Sequence, residues 1–187
     1  NLLSEKMYGK SVMPFQPTGI WRSPYNGDVW KMSENEDQFR RALYTFLKRT
    51  APYPSMMTFD GGAREVCIPR RIRTNTPLQA LTSLNDSTSH VIARNLAFRM
   101  QKIGGIEANK QIQKGYEMMM YKPISPIRQK ALVDLYTTAL YKFKKDKRAM
   151  HAIVGLKAIE KGSNAETAAM VIVAGAMLNM DEWLNKN

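Results

Sequence analysis

The chain has 187 residues, of which 44% are hydrophobic, and this is enough for one domain with a hydrophobic core, which excludes an intrinsically disordered chain. Its formal net charge of +12 is compatible with an anionic partner such as an acidic glycan or nucleic acid. Its one cysteine excludes an internal disulfide and also the Cys-x-x-Cys-His attachment of haem within the chain.

Residues 1–32 are rich in glycine, proline and aromatic residues and follow no helical or strand period. This composition predicts an irregular arm that wraps over the core. The sequence starts at Asn1 without a basic and apolar leader, which predicts a piece of a longer protein. We therefore expect the rings of Phe15, Trp21 and Trp30 to be left uncovered in the isolated chain, for contact with another polypeptide.

The first predicted helix starts at residues 33–36, where Ser-Glu-Asn-Glu forms a capping box. Apolar side chains then recur every three to four positions until Pro52 and Pro54 end the helix. The apolar positions are Phe39, Leu43, Phe46 and Leu47, flanked by Arg40, Arg41, Lys48 and Arg49.

Further helix starts are predicted at capping signals along the rest of the chain. One lies at residues 76–79, where Thr-Pro-Leu-Gln combines a capping box with a proline at the first helical position. The later helices are predicted over about 88–102, 107–121, from Ser125 to the basic run 142–148, 150–159, and from the capping box at 163–166 to about Leu184. The longest apolar run, Ala168 to Leu178, is too short to span a bilayer, so no transmembrane segment is predicted.

The predicted fold class is mainly α, a multi-helix single domain over residues 1–187. Six or seven helices are expected, together with the long irregular N-terminal arm and a long ordered Arg-rich loop. No internal repeat is visible in the sequence.

The segment between the first two predicted helices has an unusual density of polar side chains. Guanidinium groups bind carboxylates, sulfates and phosphates bidentately, so the segment could hold an anion or an acidic glycan. Alternatively, its arginines pair with Asp60, Glu65, Asp86 and loop carbonyls to stabilise the loop, and this structural role is slightly favoured. The candidate binding or interface residues are Asp60, Arg64, Glu65, Cys67, Arg70, Arg71, Arg73, Asn75 and Gln79. We expect the charged members of this set to converge around one pocket or interface.

Reactive and metal-binding roles are weaker interpretations of the same residues. The arginines near Cys67 would favour its thiolate, but a lone cysteine between apolar neighbours is more often a small buried hydrophobe. No cluster of Cys, His and Asp has metal-ligand spacing, so no metal site is predicted. Asp60, Glu65 and Asp86 could bind a metal ion only if the fold brought them together. The pair Asp181-Glu182 is expected on a solvated helix face rather than at a calcium ion.

Nucleic acid is an unfavoured partner. The basic run 142–148 lies beside Tyr141 and would attract phosphate in a salt-dependent manner. The sequence nevertheless contains no helix-turn-helix, aromatic RNA-binding motif or zinc finger.

The block from Arg40 to Asp86 reads RRALYTFLKRTAPYPSMMTFDGGAREVCIPRRIRTNTPLQALTSLND. It resembles the C-terminal domain of unknown function found in planctomycete cytochrome-c-associated proteins. Residues 12–21, 115–136 and 178–184 are also similar to that family. The chain departs from the family pattern at Leu47, where tryptophan is usual, and at Gly61-Gly62, which replaces Ala-Pro.

This resemblance implies a secreted or periplasmic multidomain protein, of which the chain is the C-terminal half of the family domain. It implies no cofactor in this chain, although haem c is expected in an upstream region of some such proteins, and it supplies no catalytic residues. The expected function is an accessory or interaction domain that presents the Arg-rich loop to the upstream domain, to another polypeptide or to a polyanion such as an anionic glycan. The alternative is part of an enzyme acting on acidic or sulfated polysaccharide, with other catalytic groups upstream and Asp60, Glu65 or Cys67 contributing here.

Overall fold

The computed structural model describes residues 2–21, 27–62, 69, 74–155 and 164–184. Two short 3-10 helices, Asn35–Phe39 and Ala42–Tyr44, precede the α-helices. The α-helices are α1 (Pro54–Thr58), α2 (Pro77–Asn85), α3 (Ser87–Gly104), α4 (Ala108–Met120), α5 (Pro126–Lys145), α6 (Lys147–Val154), α7 (Ala165–Leu178) and α8 (Asp181–Leu184).

Helices dominate the described residues, and β-structure there is limited to isolated bridges. This confirms the prediction of a mainly α fold. The chain divides into two compact units, Asn1–Gln79 and Ala80–Asn187. The predictions of a single domain over 1–187 and of its place in a longer family domain stay predictions.

In the first unit the N-terminal arm pairs with residues 39–46 through main-chain hydrogen bonds. Ser4 N donates to Phe39 O at 3.0 Å. Further along, Val12 N donates to Tyr44 O at 2.8 Å, and Phe46 N donates to Val12 O at 2.7 Å. These bonds use backbone groups that an α-helix over the same residues would need for itself.

The predicted α-helix over residues 33–49 is therefore wrong. The Ser33 hydroxyl accepts from Met13 N at 2.9 Å instead of capping a helix, and Ser33 N donates to Met13 O at 2.8 Å. Asn35 has a left-handed backbone with φ 53°, and Arg40 is extended with ψ 160°. Pairing with the distant arm overrides the helical period, and only two 3-10 turns remain.

The aromatic rings of the first unit pack on one another. Trp30 stacks on Tyr53 with ring centroids 5.3 Å apart, and Trp21 lies 5.4 Å from Trp30. Trp21 is buried and its indole N–H donates to Ala51 O at 2.7 Å, while Phe15 and Trp30 are half-buried. Trp21 is thus covered by the unit's own chain, against the expectation, whereas Phe15 and Trp30 keep part of their surface exposed.

The second unit is built around α7. This helix contacts α3, α4, α5 and α6, and its small residues Ala168, Ala169 and Ala174 are fully buried, which allows the helices to approach closely. Four of the methionines lie in this core, where their flexible side chains fill irregular gaps. They are Met100, Met119, Met170 and Met177.

Capping side chains set the starts of α3, α5 and α6 in the second unit. The side chains of Asp86, Ser125 and Asp146 accept from the main-chain N–H three residues further on. Because Asp146 caps α6, that helix begins at Lys147, earlier than the predicted 150.

The last predicted helix also needs correction. Its cap is the side chain of Asn164, which accepts from the N–H groups of Glu166 and Thr167, and the preceding serine lies outside the described residues. The helix ends at Leu178 rather than near Leu184 because Asn179 and Met180 turn the chain before the separate helix α8.

Candidate functional site

The residues on either side of the Arg-rich segment, residues 61–73, are joined by a hydrogen-bonded network. It is formed by Asp60, Thr74 and Gln79, and we call it the clasp. Asp60 Oδ2 accepts from Thr74 N at 2.7 Å, and Asp60 Oδ1 accepts from the Thr74 hydroxyl at 2.8 Å. Gln79 Nε2 donates to Asp60 Oδ2 at 3.2 Å and to Thr74 Oγ1 at 2.9 Å. The clasp therefore joins the residue before the segment to the residue after it.

Gln79 has a second role at the start of α2. Its Oε1 accepts from Thr76 N at 2.9 Å, and its own N–H donates to Thr76 Oγ1 at 3.2 Å, which is the reciprocal capping box predicted from the sequence. Its Nε2 also donates to Thr58 O at 3.0 Å at the end of α1. Gln79 is only 3% exposed, so one buried amide connects α1, the clasp and α2.

The other side of the clasp depends on a tight turn after α1. Asp60 has a left-handed backbone with φ 58°. Gly61 N donates to Met56 O at 2.6 Å, and a Cβ on Gly61 would lie 2.5 Å from that same oxygen. Only glycine fits this approach, and the turn aims the Asp60 carboxylate at Thr74.

The structure brings together two of the nine candidate residues, Asp60 and Gln79, and places a third, Asn75, in an exposed position just before α2. The other candidates lie outside the described residues, so the convergence of the charged side chains stays a prediction. They are Arg64, Glu65, Cys67, Arg70, Arg71 and Arg73.

Sequence reasoning missed the role of Arg40, which it placed on the flank of a helix. Arg40 is 8% exposed, and its guanidinium donates to three carbonyls of the arm, Lys6 O at 2.9 Å, Tyr8 O at 2.7 Å and Lys10 O at 3.3 Å. The guanidinium carbon lies 3.7 Å from the ring centroid of Tyr44. This carbonyl cradle fixes the arm, and nothing in the sequence around Arg40 indicates it.

A second unpredicted network anchors α8 in the second unit. The hydroxyl of the fully buried Tyr116 donates to Glu182 Oε2 at 2.9 Å and accepts from Arg128 Nη1 at 3.0 Å. Arg128 and Lys122 form ion pairs with Glu182 at 2.7 Å and 3.1 Å. The pKa of the Glu182 carboxyl is held below its usual range. The hydrogen bond from Tyr116 contributes most, followed by those from Lys122 and Arg128.

Three of the carboxylates considered as metal ligands, Asp60, Asp86 and Glu182, therefore have structural partners. Glu182 was expected on a solvated helix face, but it is part of this network. Asp86 caps α3 by accepting from Ser89 N at 2.9 Å. Within the described ranges, no group of three or more His, Cys, Asp and Glu side chains could hold a metal ion. No helix in that part of the chain is long and apolar enough to cross a membrane.

Residues 1–136 match the family model PSD1, a protein of unknown function (DUF1553). The chain belongs to this family. The match covers the first unit and continues to the middle of α5. Comparison with curated proteins gave no match, and comparison with solved structures gave none either. The resemblance to a domain of unknown function is thus confirmed.

Proposed function

We propose that the chain is an accessory or interaction domain that presents the Arg-rich segment to a neighbouring domain or polypeptide. The clasp is the observation that supports this most. Its hydrogen bonds between Asp60, Thr74 and Gln79 hold the residues on both sides of the segment close together. The proposed role of Arg64, Arg70, Arg71 and Arg73 is to bind a carboxylate-bearing partner through their guanidinium groups.

The start of α2 supports a polypeptide partner for this region. Leu78, Leu81 and Leu84 recur at helical spacing and are 61%, 60% and 48% exposed. A row of exposed apolar side chains on one helix is typical of a surface that contacts another polypeptide. We take the partner to be an upstream domain of the same protein.

The proposed cellular setting follows from the resemblance to planctomycete cytochrome-c-associated proteins. It is a secreted or periplasmic multidomain protein with haem c held, where present, in an upstream region. The alternative of a polysaccharide-processing enzyme receives no support from Asp60, because the carboxylate accepts hydrogen bonds from Thr74 and Gln79 within the clasp.

Amide hydrogen exchange tests the proposal. Exchange in residues 61–85 is measured in residues 1–187 alone and in the complete gene product that contains them. We expect slower exchange of this region in the complete product, because the partner domain covers it. Equal exchange in both proteins would show that no upstream domain rests on the segment.

A double variant then tests whether the arginines of the segment bind the partner domain or stabilise the loop itself. Arg70→Ala with Arg71→Ala is compared with Arg41→Ala with Arg49→Ala, which removes the same charge from two exposed positions of the first unit. If the segment is presented, the first variant loses the exchange protection while its melting temperature equals that of the control. If its melting temperature falls and the protection remains, the arginines are structural and the proposal is wrong.

A further inference from the structure

The second unit carries a concentration of positive charge where α5 ends and α6 begins. Residues 142–148 include five cations, and all five are exposed. They are Lys142, Lys144, Lys145, Lys147 and Arg148, and we call this surface the basic corner. The ion pairs found among the described residues all involve other cations.

The one acid within the run does not account for this charge. Asp146 lies between the two helices, and its side chain accepts from Ala149 N at 2.9 Å as the cap of α6. One carboxylate engaged in capping cannot pair with five ammonium and guanidinium groups around it.

Helix electrostatics explain only part of the basic corner. Lys142, Lys144 and Lys145 lie in the last turn of α5, where positive charge is favourable. Lys147 and Arg148 instead lie in the first turn of α6, which is the positive end of that helix dipole. Positive charge is unfavourable there, so stability of the unit gives no reason for these two residues, whereas binding of a polyanion does.

We propose that the basic corner binds an acidic polysaccharide, a polymer that carries sulfate or carboxylate groups at intervals. Four of the five cations are lysines, whose ammonium groups are compact point charges and need no planar bidentate partner. Such groups can follow anions spaced along a polymer. The site lies in the second unit and does not rest on the function proposed for the Arg-rich segment.

The neighbouring side chains disfavour two other classes of polyanion. Single-stranded nucleic acids stack successive bases on several aromatic faces, but Phe143 is buried and Lys145 Nζ lies over one face of the exposed Tyr141, 4.0 Å from its ring centroid. Insertion into a lipid bilayer needs an apolar face beside the charge, and both Phe143 and Val154 lie in the core.

Two charge-matched quadruple variants test the proposal. The corner variant replaces Lys144, Lys145, Lys147 and Arg148 with glutamine. The control variant replaces Lys102, Lys114, Lys130 and Arg99 with glutamine, and these four exposed residues lie on α3, α4 and the beginning of α5. Both variants lose three lysines and one arginine, and glutamine is a good helix former.

Binding to labelled chondroitin sulfate and polygalacturonate is measured against salt concentration. The wild type should bind at least one of them, and the corner variant should bind it about tenfold more weakly or worse, with the slope of log affinity on log salt reduced by about 3 for four lost contacts. The control should stay within about twofold of wild type, because net charge alone contributes little at moderate salt.

Several results would overturn the proposal. These are equal losses in both variants, tighter binding of the wild type to single-stranded DNA or to phosphatidylserine vesicles, and no binding to either polysaccharide at low salt. Should the quadruple corner variant unfold, the Lys147→Gln, Arg148→Gln double variant replaces it. Removing these cations from the start of α6 favours the folded state, and a severalfold loss of affinity is expected.

Discussion

Replacing Gln79 with alanine should destabilise the first unit by about 2 kcal/mol, since each hydrogen bond lost contributes roughly 1 kcal/mol. The variant loses the amide's bonds to Thr58 O, Asp60 and Thr74, and the reciprocal half of the capping box. The loss of three hydrogen bonds and a cap would correspond to a destabilisation of up to about 4 kcal/mol. The lower figure is expected because Thr74 is exposed and Asp60 half-buried, so water can replace the amide at both.

Urea unfolding followed by tryptophan fluorescence measures this loss, and amide exchange in residues 54–79 locates it. Gln113→Ala is the matched control, because this exposed glutamine on α4 bonds to Glu117 at the surface and its loss should change stability by less than about 0.5 kcal/mol. If Gln79→Ala and Gln113→Ala have equal stability, the clasp does not hold the segment and the reasoning fails.

Gln79→Glu sharpens the test because it adds a pH dependence. The new carboxylate would lie beside Asp60, and repulsion between the two raises their combined proton affinity in the folded state. A raised folded-state pKa means that the destabilisation is greatest at neutral pH and shrinks as the pH falls through the carboxyl range. A pH-independent deficit would contradict the placement of Gln79 against Asp60.

Three further predictions concern other contacts. Arg40→Lys should cost about 2 kcal/mol and release the arm to proteolysis, since an ammonium cannot span the carbonyl cradle. Glu182→Gln should lower the melting temperature at neutral pH, because the ionised carboxylate stabilises the folded state. The difference from wild type should vanish as the pH falls through the depressed folded-state pKa of Glu182, where the carboxylate becomes protonated. Gly104→Ala should cost roughly 2–3 kcal/mol, since its Cβ would lie 2.3 Å from Gln111 Cα.

Each of these changes has a control or a contradicting result. Arg41→Lys alters the exposed neighbour of Arg40 and should leave proteolysis unchanged. Gly175→Ala meets no atom within 4 Å and should be neutral or stabilising by about 0.5–1 kcal/mol in the middle of α7. A melting-temperature difference for Glu182→Gln that stays the same at neutral and at acidic pH would contradict its assigned ionisation.

Local signals in the sequence were sufficient to predict two helix boundaries of the second unit. Gly104-Gly105 ends α3, and Ser125 with Pro126 starts α5, and both boundaries agree with the structure within two residues. Glycine and proline set these boundaries through backbone geometry, and the serine does so through its own hydrogen bond. The two boundaries therefore do not depend on distant residues.

Long-range pairing could not be predicted in the same way. The capping box of α2 was visible in the sequence, but Gln79 also bonds to Asp60 and Thr58, which lie 19 and 21 residues away. The helical period over 33–49 was misleading because the arm, some thirty residues earlier, takes its backbone groups. Sequence periodicity describes only neighbours along the chain, and these contacts are decided by tertiary packing.

The carbonyl cradle of Arg40 holds the N-terminal arm through main-chain atoms. The guanidinium binds only main-chain oxygens of Lys6, Tyr8 and Lys10, which every amino acid supplies. Substitution at Lys10, whose side chain is exposed, should therefore leave the arm attached. A fluorophore or spin label can thus be installed at that position to report on arm docking without disturbing the attachment it reports.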